Sequence, residues 1–457
     1  MATSDAAFRG GACPTPEYTI AYTGNYTTSA DANARPVPPR HLLAIFLALS
    51  TLNYLDRQIV NILAEPIKQD LRLADWQLGA LTGLSFAVFY SLLGLPIARL
   101  ADRANRPVII GLSLMVWSTF TALCGLAGSY VQLLLARIGV GCGEAGGTPP
   151  MHSLISDFTT PQNRSSALAF VSLGNPLGTL IALASGAWLA QAFGWRAAFM
   201  VAAAPGILLA FVILLTVKEP RRHGDAVPVS AISLGDAWRE LRGKRTFWWI
   251  CAAATATSVA NYGQAAFWGS FFLRNHAAEI AGRFPGVGPL AVVGMMLGLV
   301  QGLAGMLGVW AGGFLTDRLS RSDLRAYCSV PAIALALASP TFVAVLFAPG
   351  FITAGLLLII PVFLGGFMFG PSFAAIQSLV RPGTRATASA IEIFILTIVG
   401  LGLGPLAIGA CSDYFARTMG NAEGLRWALL LTAPANLVAA ACFWRGRRTI
   451  IAELHPH

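Results

Sequence analysis

Apolar runs, each near the 20 residues that cross about 30 Å of hydrocarbon, recur twelve times along the chain between short polar breaks. They fall near 41–64, 78–98, 107–128, 131–155, 164–192, 196–217, 246–273, 289–316, 326–347, 351–378, 385–412 and 425–445. Membrane strands would alternate apolar and polar positions over about ten residues, and these runs are longer and unbroken. Inside a bilayer the backbone must satisfy its own hydrogen bonds. The pattern therefore predicts an all-α membrane protein with twelve transmembrane helices.

The two halves repeat. Asn53-Tyr54 in helix 1 returns as Asn261-Tyr262 in helix 7, and Leu100-Ala101-Asp102-Arg103 returns as Leu315-Thr316-Asp317-Arg318. Pro161-Gln162-Asn163-Arg164-Ser165-Ser166-Ala167 before helix 5 matches Pro382-Gly383-Thr384-Arg385-Ala386-Thr387-Ala388 before helix 11. The offsets of 208, 215 and 221 residues drift in chain order, as expected of two pseudo-symmetric six-helix bundles. The predicted organisation is a disordered tail over 1–40, a first bundle over 41–217, a cytoplasmic linker over 218–245, a second bundle over 246–445 and a tail over 446–457. The first 40 residues hold five prolines among small polar residues and no apolar core with a cleavage site, so they read as a tail and not a signal peptide. Within the linker, Ser230 to Arg242 has helical apolar spacing, consistent with a helix on the inner membrane surface or with a solvated connection.

Composition narrows the class. With 55% hydrophobic and 11% charged residues and a mean hydropathy of +0.64, a soluble fold is excluded. The net charge of +10 follows topology and calls for no nucleic acid. Of 31 Lys and Arg, seven (Lys68, Arg72, Arg196, Arg274, Arg283, Arg417 and Arg426) fall on one side and two lie within spans, which leaves 22 on the side of the termini. Excess positive charge marks the cytoplasmic face. Both termini are therefore expected in the cytoplasm and the chain in the inner membrane as a multi-pass protein, its basic loops against anionic membrane lipids.

The seven cysteines are scattered and indicate neither a disulfide framework nor a zinc site. HExxH, G-x-S-x-G and the G-x-x-x-x-G-K-[ST] loop are all absent. Neither a cofactor, a metal nor an enzymatic activity is expected, and ion-coupled secondary transport remains.

Four ionisable groups, Asp56, Arg57, Arg137 and Glu144, sit inside the predicted spans. Such groups are costly in hydrocarbon and mark transport or proton pathways. Asp56 and Arg57 are adjacent and cannot face each other on a helix, so each needs a partner elsewhere. Arg137 and Glu144 lie seven residues apart, on one face of helix 4 and separated by about 10 Å. Depth along each helix suggests that Asp56 pairs with Arg137 and Arg57 with Glu144. Separating either carboxylate from its guanidinium would favour proton uptake, which makes Asp56 and Glu144 the proton-coupling candidates; a permanent clamp between helices 1 and 4 is the alternative. Arg57 suits an anionic head group or serves as the counter-ion of Glu144, with Arg137 tuning the set. Glu392 either lines the inner cavity or snorkels to the interface. His152 reads as an ordinary hydrogen-bonded residue.

The loop Ala98-Arg99-Leu100-Ala101-Asp102-Arg103-Ala104-Asn105-Arg106 resembles the signature between helices 2 and 3 of the major facilitator superfamily, with Ala98 and Asn105 in place of two glycines. Gly313-Phe314-Leu315-Thr316-Asp317-Arg318 is similar to its second copy. Within that superfamily, Asn53-Tyr54-Leu55-Asp56-Arg57 together with Gly141-Cys142-Gly143-Glu144-Ala145 resembles the spinster group of sphingolipid and lysolipid transporters. The resemblance implies gating loops at Asp102, Arg103, Arg106, Asp317 and Arg318. Asp102 would dock near the start of helix 11, by Arg385 and Thr387, and close the inner side. It also implies a cavity between the bundles, with Tyr54, Asn261, Tyr262, Gln264, Phe267 and Glu392 as candidate lining and an apolar wall of Trp268, Phe271, Met295, Met296, Phe363, Phe367, Met368 and Phe369. The expected activity is proton-coupled transport of an amphipathic small molecule or lipid by a monomer. Transport of a drug, organic anion or sugar is the alternative.

Overall fold

The computed structural model describes residues 40–101, 104–159, 161–220 and 234–454. Each of the twelve apolar windows coincides with helix in it. We number these helices α1 (Arg40–Leu71), α2 (Asp75–Ala101), α3 (Arg106–Leu126), α4 (130–158), α5 (161–193), α6 (Trp195–Thr216), α7 (Arg245–Arg283), α8 (Pro289–Ser320), α9 (Ala326–Leu346), α10 (Phe351–Leu379), α11 (385–419) and α12 (Asn421–Glu453). Nine helices among the described residues are long and apolar enough to cross a membrane. The other three, α1, α4 and α7, include the stretches with Asp56, Arg57, Arg137, Glu144 and Gln264. The N-terminal tail, Asp102, Arg103 and 221–233 of the linker lie outside the described residues.

The repeat extends to irregularities of the backbone. α2 contains a π-turn at Ala80–Leu84 and α8 one at Val300–Ala304, displaced by 220 residues. α4 is interrupted at 145–147, just before Pro149-Pro150, and α10 passes through a 3₁₀ turn at Gly366–Met368, displaced by 221. Such local changes of winding re-aim side chains and commonly sit near functional sites.

The bundles meet along α1 with α7, α2 with α11, and α5 with α8. We call the end away from the termini the outer end, and there the approach is close enough to require glycine. A Cβ on Gly79 would come within 2.2 Å of the Pro405 carbonyl oxygen, and one on Gly409 within 2.2 Å of that of Asp75. α5 meets the outer half of α8 in the same way, the Leu183 carbonyl oxygen standing 2.4 Å from where a Cβ of Gly294 would be.

Charge reinforces this outer closure. Arg274 on α7 reaches Glu65 on α1 at 2.8 Å and Asp75 on α2 at 2.7 Å, and Lys68 lies 2.6 Å from Asp75. Ser412 on α11 donates to Asp75 Oδ2 at 2.6 Å. Two carboxylates, two cations and a hydroxyl thus satisfy one another across both bundles.

At the opposite end the linker helix Leu234–Gly243 docks under the second bundle. Glu240 accepts hydrogen bonds from the Arg381 N–H at 3.0 Å and the Thr384 hydroxyl at 2.6 Å. Glu453, at the end of α12, caps the first turn of α7 through the Arg245 and Thr246 N–H groups.

Candidate functional site

The charged cluster forms where α1, α2 and α4 pack closely. Helix 4 approaches its neighbours over glycine: a Cβ on Gly141 would stand 2.9 Å from the Phe86 carbonyl oxygen, and one on Gly143 2.6 Å from the Trp117 amide nitrogen. This places Glu144, fully buried, against α1. Arg57 Nε donates to Glu144 Oε2 at 2.7 Å, and Asn53 Nδ2 donates to the same oxygen at 2.8 Å.

The Arg57 guanidinium also lies 4.7 Å from the ring centres of both Phe86 and Tyr90, and 5.7 Å from that of Tyr54. Arg137 lies 5.8 Å from the Phe86 ring. Phe86 thus bears on both cations through the negative face of its ring.

Asp56 departs from the expected pairing. Arg137 Nη1 donates to the Asp56 main-chain carbonyl at 3.3 Å, and no ion pair joins the two side chains among the described residues. Burial explains why this matters: Asp56 is 2% and Arg137 1% exposed, and Asp56 Oδ1 and Arg137 Nε have no hydrogen-bond partner. Trp117 Nε1 and Thr121 Oγ1 face the Asp56 carboxyl without reaching good hydrogen-bond geometry. A buried polar group without a partner costs about 1–3 kcal/mol. Thus two neighbouring carboxylates occupy different settings, one hydrogen-bonded to a guanidinium side chain and one not.

Arg57 stands between two cavities. One, of about 30 Å³, lies between the bundles and is lined by Tyr54, Arg57, Asn61, Arg137, Tyr262 and Pro405, among others. The second, of about 180 Å³, enters the first bundle and includes Asn53, Tyr54, Arg57, Tyr90, His152 and Asn175. Side-chain exposure is 20% for Arg57 and zero for Glu144, so the cation faces the space and the carboxylate is sealed behind it.

Several expected lining residues lie elsewhere. Gln264 donates to Thr432 Oγ1 on α12 at 2.8 Å, which turns it into the second bundle. Phe267 is fully buried in the core. Trp268 and Phe271 join Phe272 and Phe342 in an aromatic cluster, while Met295 and Phe369 are exposed. The expected apolar wall is therefore split between packed and exposed positions, and none of it lines either cavity. Asn261 lines neither cavity and sits near Gly365. Glu392 is buried beside Cys251, with Oε2 unpartnered.

Of the gating residues, Arg106 is fully buried and bound to Glu219, Ser153 and Asp157, the last at 2.7 Å, all within the first bundle. Arg385 donates to the Gln377 carbonyl at 3.0 Å. Asp317 and Arg318 are exposed.

The sequence reading missed Phe86, Tyr90 and Trp117, because aromatic residues in an apolar helix carry no signal of what they face. Asn53 stood within the quoted motif and could have been found there. No group of three or more His, Cys, Asp or Glu suited to a metal occurs among the described residues.

Comparison with known proteins agrees with this architecture. The family model described as Major Facilitator Superfamily matches residues 46–400. An "MFS-type efflux pump" of Mycolicibacterium smegmatis is 35% identical over 90% of this chain and 94% of its own. Protein spinster homolog 1 of Homo sapiens is 28% identical over 88% of this chain and 79% of its own. The fold is similar, with a TM-score of 0.81 and 29% identity, to a bacterial homolog of the human lysosomal transporter Spinster in an inward-facing, unoccupied conformation, covering 91% of this chain and 98% of that one. The chain belongs to the Major Facilitator Superfamily, as a spinster-like multi-pass membrane transporter and not an enzyme.

Proposed function

We propose that the protein is a proton-coupled transporter of amphipathic, anionic lipid-like molecules of the lysophospholipid or sphingolipid kind, working as a monomer by alternating access in the inner membrane with both termini in the cytoplasm. The observation that carries this reading is the order of groups along the entry path: Arg57 borders both cavities while Glu144 is sealed behind it. An anionic head group arriving from the inner side meets the guanidinium first. It competes with Glu144 for the same N–H donors.

Once Arg57 turns to substrate, Glu144 is a buried carboxylate with Asn53 as its remaining partner, and a proton neutralises it. Loss of the proton restores the pair and expels the substrate's head group. Asp56, unpaired on its own side of Arg137, is the second proton site, and Arg137 couples the two through Phe86. Substrate binding and proton binding thus favour each other through one ion pair, which is the linkage that cotransport in one direction requires.

A specific observation favours a second reading. The Mycolicibacterium smegmatis relative is named an efflux pump, and an amphipathic drug with an anionic end would meet the same order of groups.

The test is pH-gradient-driven uptake and efflux of a fluorescent lysolipid in proteoliposomes, comparing the intact chain with Glu144→Gln and Arg57→Ala. Gradient-dependent flux that is lost in both variants is the expected result. Flux indifferent to the gradient, or undiminished in Glu144→Gln, would reduce the pair to a structural clamp. Transport of an anionic drug in preference to the lysolipid would select the second reading.

A further inference from the structure

A second feature lies on α9 and α12 and shares no residue with the Arg57 cavities. A groove of about 480 Å³ runs between α9 and α12 and is walled by Ala332, Ile333, Ala336, Ala440 and Ala441. Small residues on both helices leave the space open, and Ile333 beside it is 54% exposed, as a residue facing hydrocarbon would be. At its inner end the groove continues into a pocket of about 240 Å³ formed by Arg325, Trp444, Arg447 and Arg448. Trp444 and Arg448 line both.

The helical register explains the continuity. Ala440, Trp444 and Arg448 succeed one another at four-residue steps on one face of α12, as do Ala441 and Arg445. From Arg325 to Ala336 the groove is about 16 Å long at 1.5 Å per residue.

The basic end is not neutralised from within. None of Arg325, Arg445, Arg447 and Arg448 forms an ion pair with a carboxylate among the described residues. Asp323, the nearby acid, accepts from the Arg325 main-chain N–H. Arg447 Nε is buried and lacks a hydrogen-bond partner, with its guanidinium 4.7 Å from the Trp444 ring centre. Three cations converging beside an amphipathic ring, at the end of an apolar groove, complement one ligand chemistry: a phosphate diester carrying acyl chains.

We propose that this groove binds an anionic phospholipid of the surrounding bilayer, its phosphate held by Arg325, Arg447 and Arg448 and one acyl chain lying along the alanines. Basic pockets between helices on the cytoplasmic side suit such head groups, and arginine suits phosphate. The site is separate from the Arg57 cavity and independent of what the transporter carries. Because α12 also ties the start of α7 through Glu453 and through the Thr246–Thr449 hydroxyl pair, a bound lipid would brace the second bundle at its inner end.

The experiment is native mass spectrometry of the purified full-length protein titrated with dioleoylphosphatidylglycerol or dioleoylphosphatidylcholine. The expected result is selective retention of the anionic lipid, weakened about fivefold for each arginine removed in Arg448→Gln and in Arg325→Gln, the latter outside the helices and so a check on folding. Ala336→Trp, which fills the groove and keeps every arginine, is expected to weaken retention as well. Equal retention of both lipids, or unchanged retention in the arginine variants, would overturn the proposal. So would glycerol 3-phosphate binding as tightly as the lipid, which would make this a free-phosphate site. A dimer lost in Ala336→Trp with lipid retention unchanged would assign the groove to a second copy of the chain and overturn it too.

Discussion

Asp413, near the end of α11, accepts the main-chain N–H groups of Asp75 at 2.9 Å and Trp76 at 2.8 Å, so that a carboxylate of the second bundle caps the first turn of a helix in the first. The start of a helix has unpaired amides and a positive dipole end. The sequence suggested this kind of contact at the inner end, from Asp102 toward the start of helix 11. The observed contact is at the outer end and runs from the second bundle to the first. The corresponding place on α5 holds a neutral group, for Gln191 packs against Gly288 just before α8. The two crossings are alike in packing, but only one is charged.

Arg274 is the cation that holds the outer end shut. Arg274→Gln leaves Glu65 and Asp75 buried close together with Lys68 alone, and removing one member of a buried pair costs about 3–5 kcal/mol. That cost falls on the closed outer end, so the population shifts outward. A cysteine introduced at Ala266, which lines the small cavity between the bundles, in a cysteine-free background should become several-fold more reactive to an impermeant maleimide applied from outside. Unchanged labelling would show that glycine packing alone holds the closure.

Asp413→Asn retains an oxygen acceptor but loses the charge. The cap should weaken by about 0.3–1 kcal/mol, giving the same change in labelling at smaller amplitude. An effect as large as that of Arg274→Gln would contradict this ranking.

Close approach of α4 to α3 depends on Gly143. Its Cβ would meet backbone at 2.6 Å, which cannot move aside as a side-chain tip can. Gly143→Ala is expected to cost about 1–3 kcal/mol and lower the melting temperature. Gly313→Ala, with nothing within 4 Å, should leave it unchanged or raise it slightly.

Phe86→Leu keeps an apolar side chain and removes the ring that bears on Arg57 and Arg137. At about 0.5–2 kcal/mol for a cation over a ring, lysolipid flux should change by between two- and thirtyfold while expression and melting stay near those of the intact chain. Flux equal to that of the intact protein would remove Phe86 from the coupling path.

Docking of the linker helix should depend on pH. Partial burial pushes the Glu240 carboxyl up, but hydrogen bonds from the Thr384 hydroxyl and the Arg381 N–H outweigh it and hold the group below the ordinary carboxylate range. A depressed folded-state value means stabilisation that is complete above about pH 4.3, the ordinary glutamate value, and lost as pH falls through the lower one. Hydrogen exchange at the Arg381 amide should therefore stay slow at neutral pH, and Glu240→Gln should raise it at all pH values. Protection unchanged by Glu240→Gln would mean that Trp238 and Leu241 hold the helix by apolar packing alone.

The sequence by itself determined the helices, because apolar length and the need to satisfy backbone hydrogen bonds in lipid leave little choice. It also determined the repeat, and that Arg57 and Glu144 would be neighbours, since few partners exist for charges in hydrocarbon. The tertiary structure decided what depends on the rotation of each helix about its axis. It turned Gln264 toward α12 and Phe267 into the core, gave Arg137 to the Asp56 carbonyl instead of its carboxylate, and brought Arg274 between Glu65 and Asp75. Periodicity marks a face as polar or apolar, but which neighbour that face meets is set by side-chain volumes and glycine contacts summed over twelve helices.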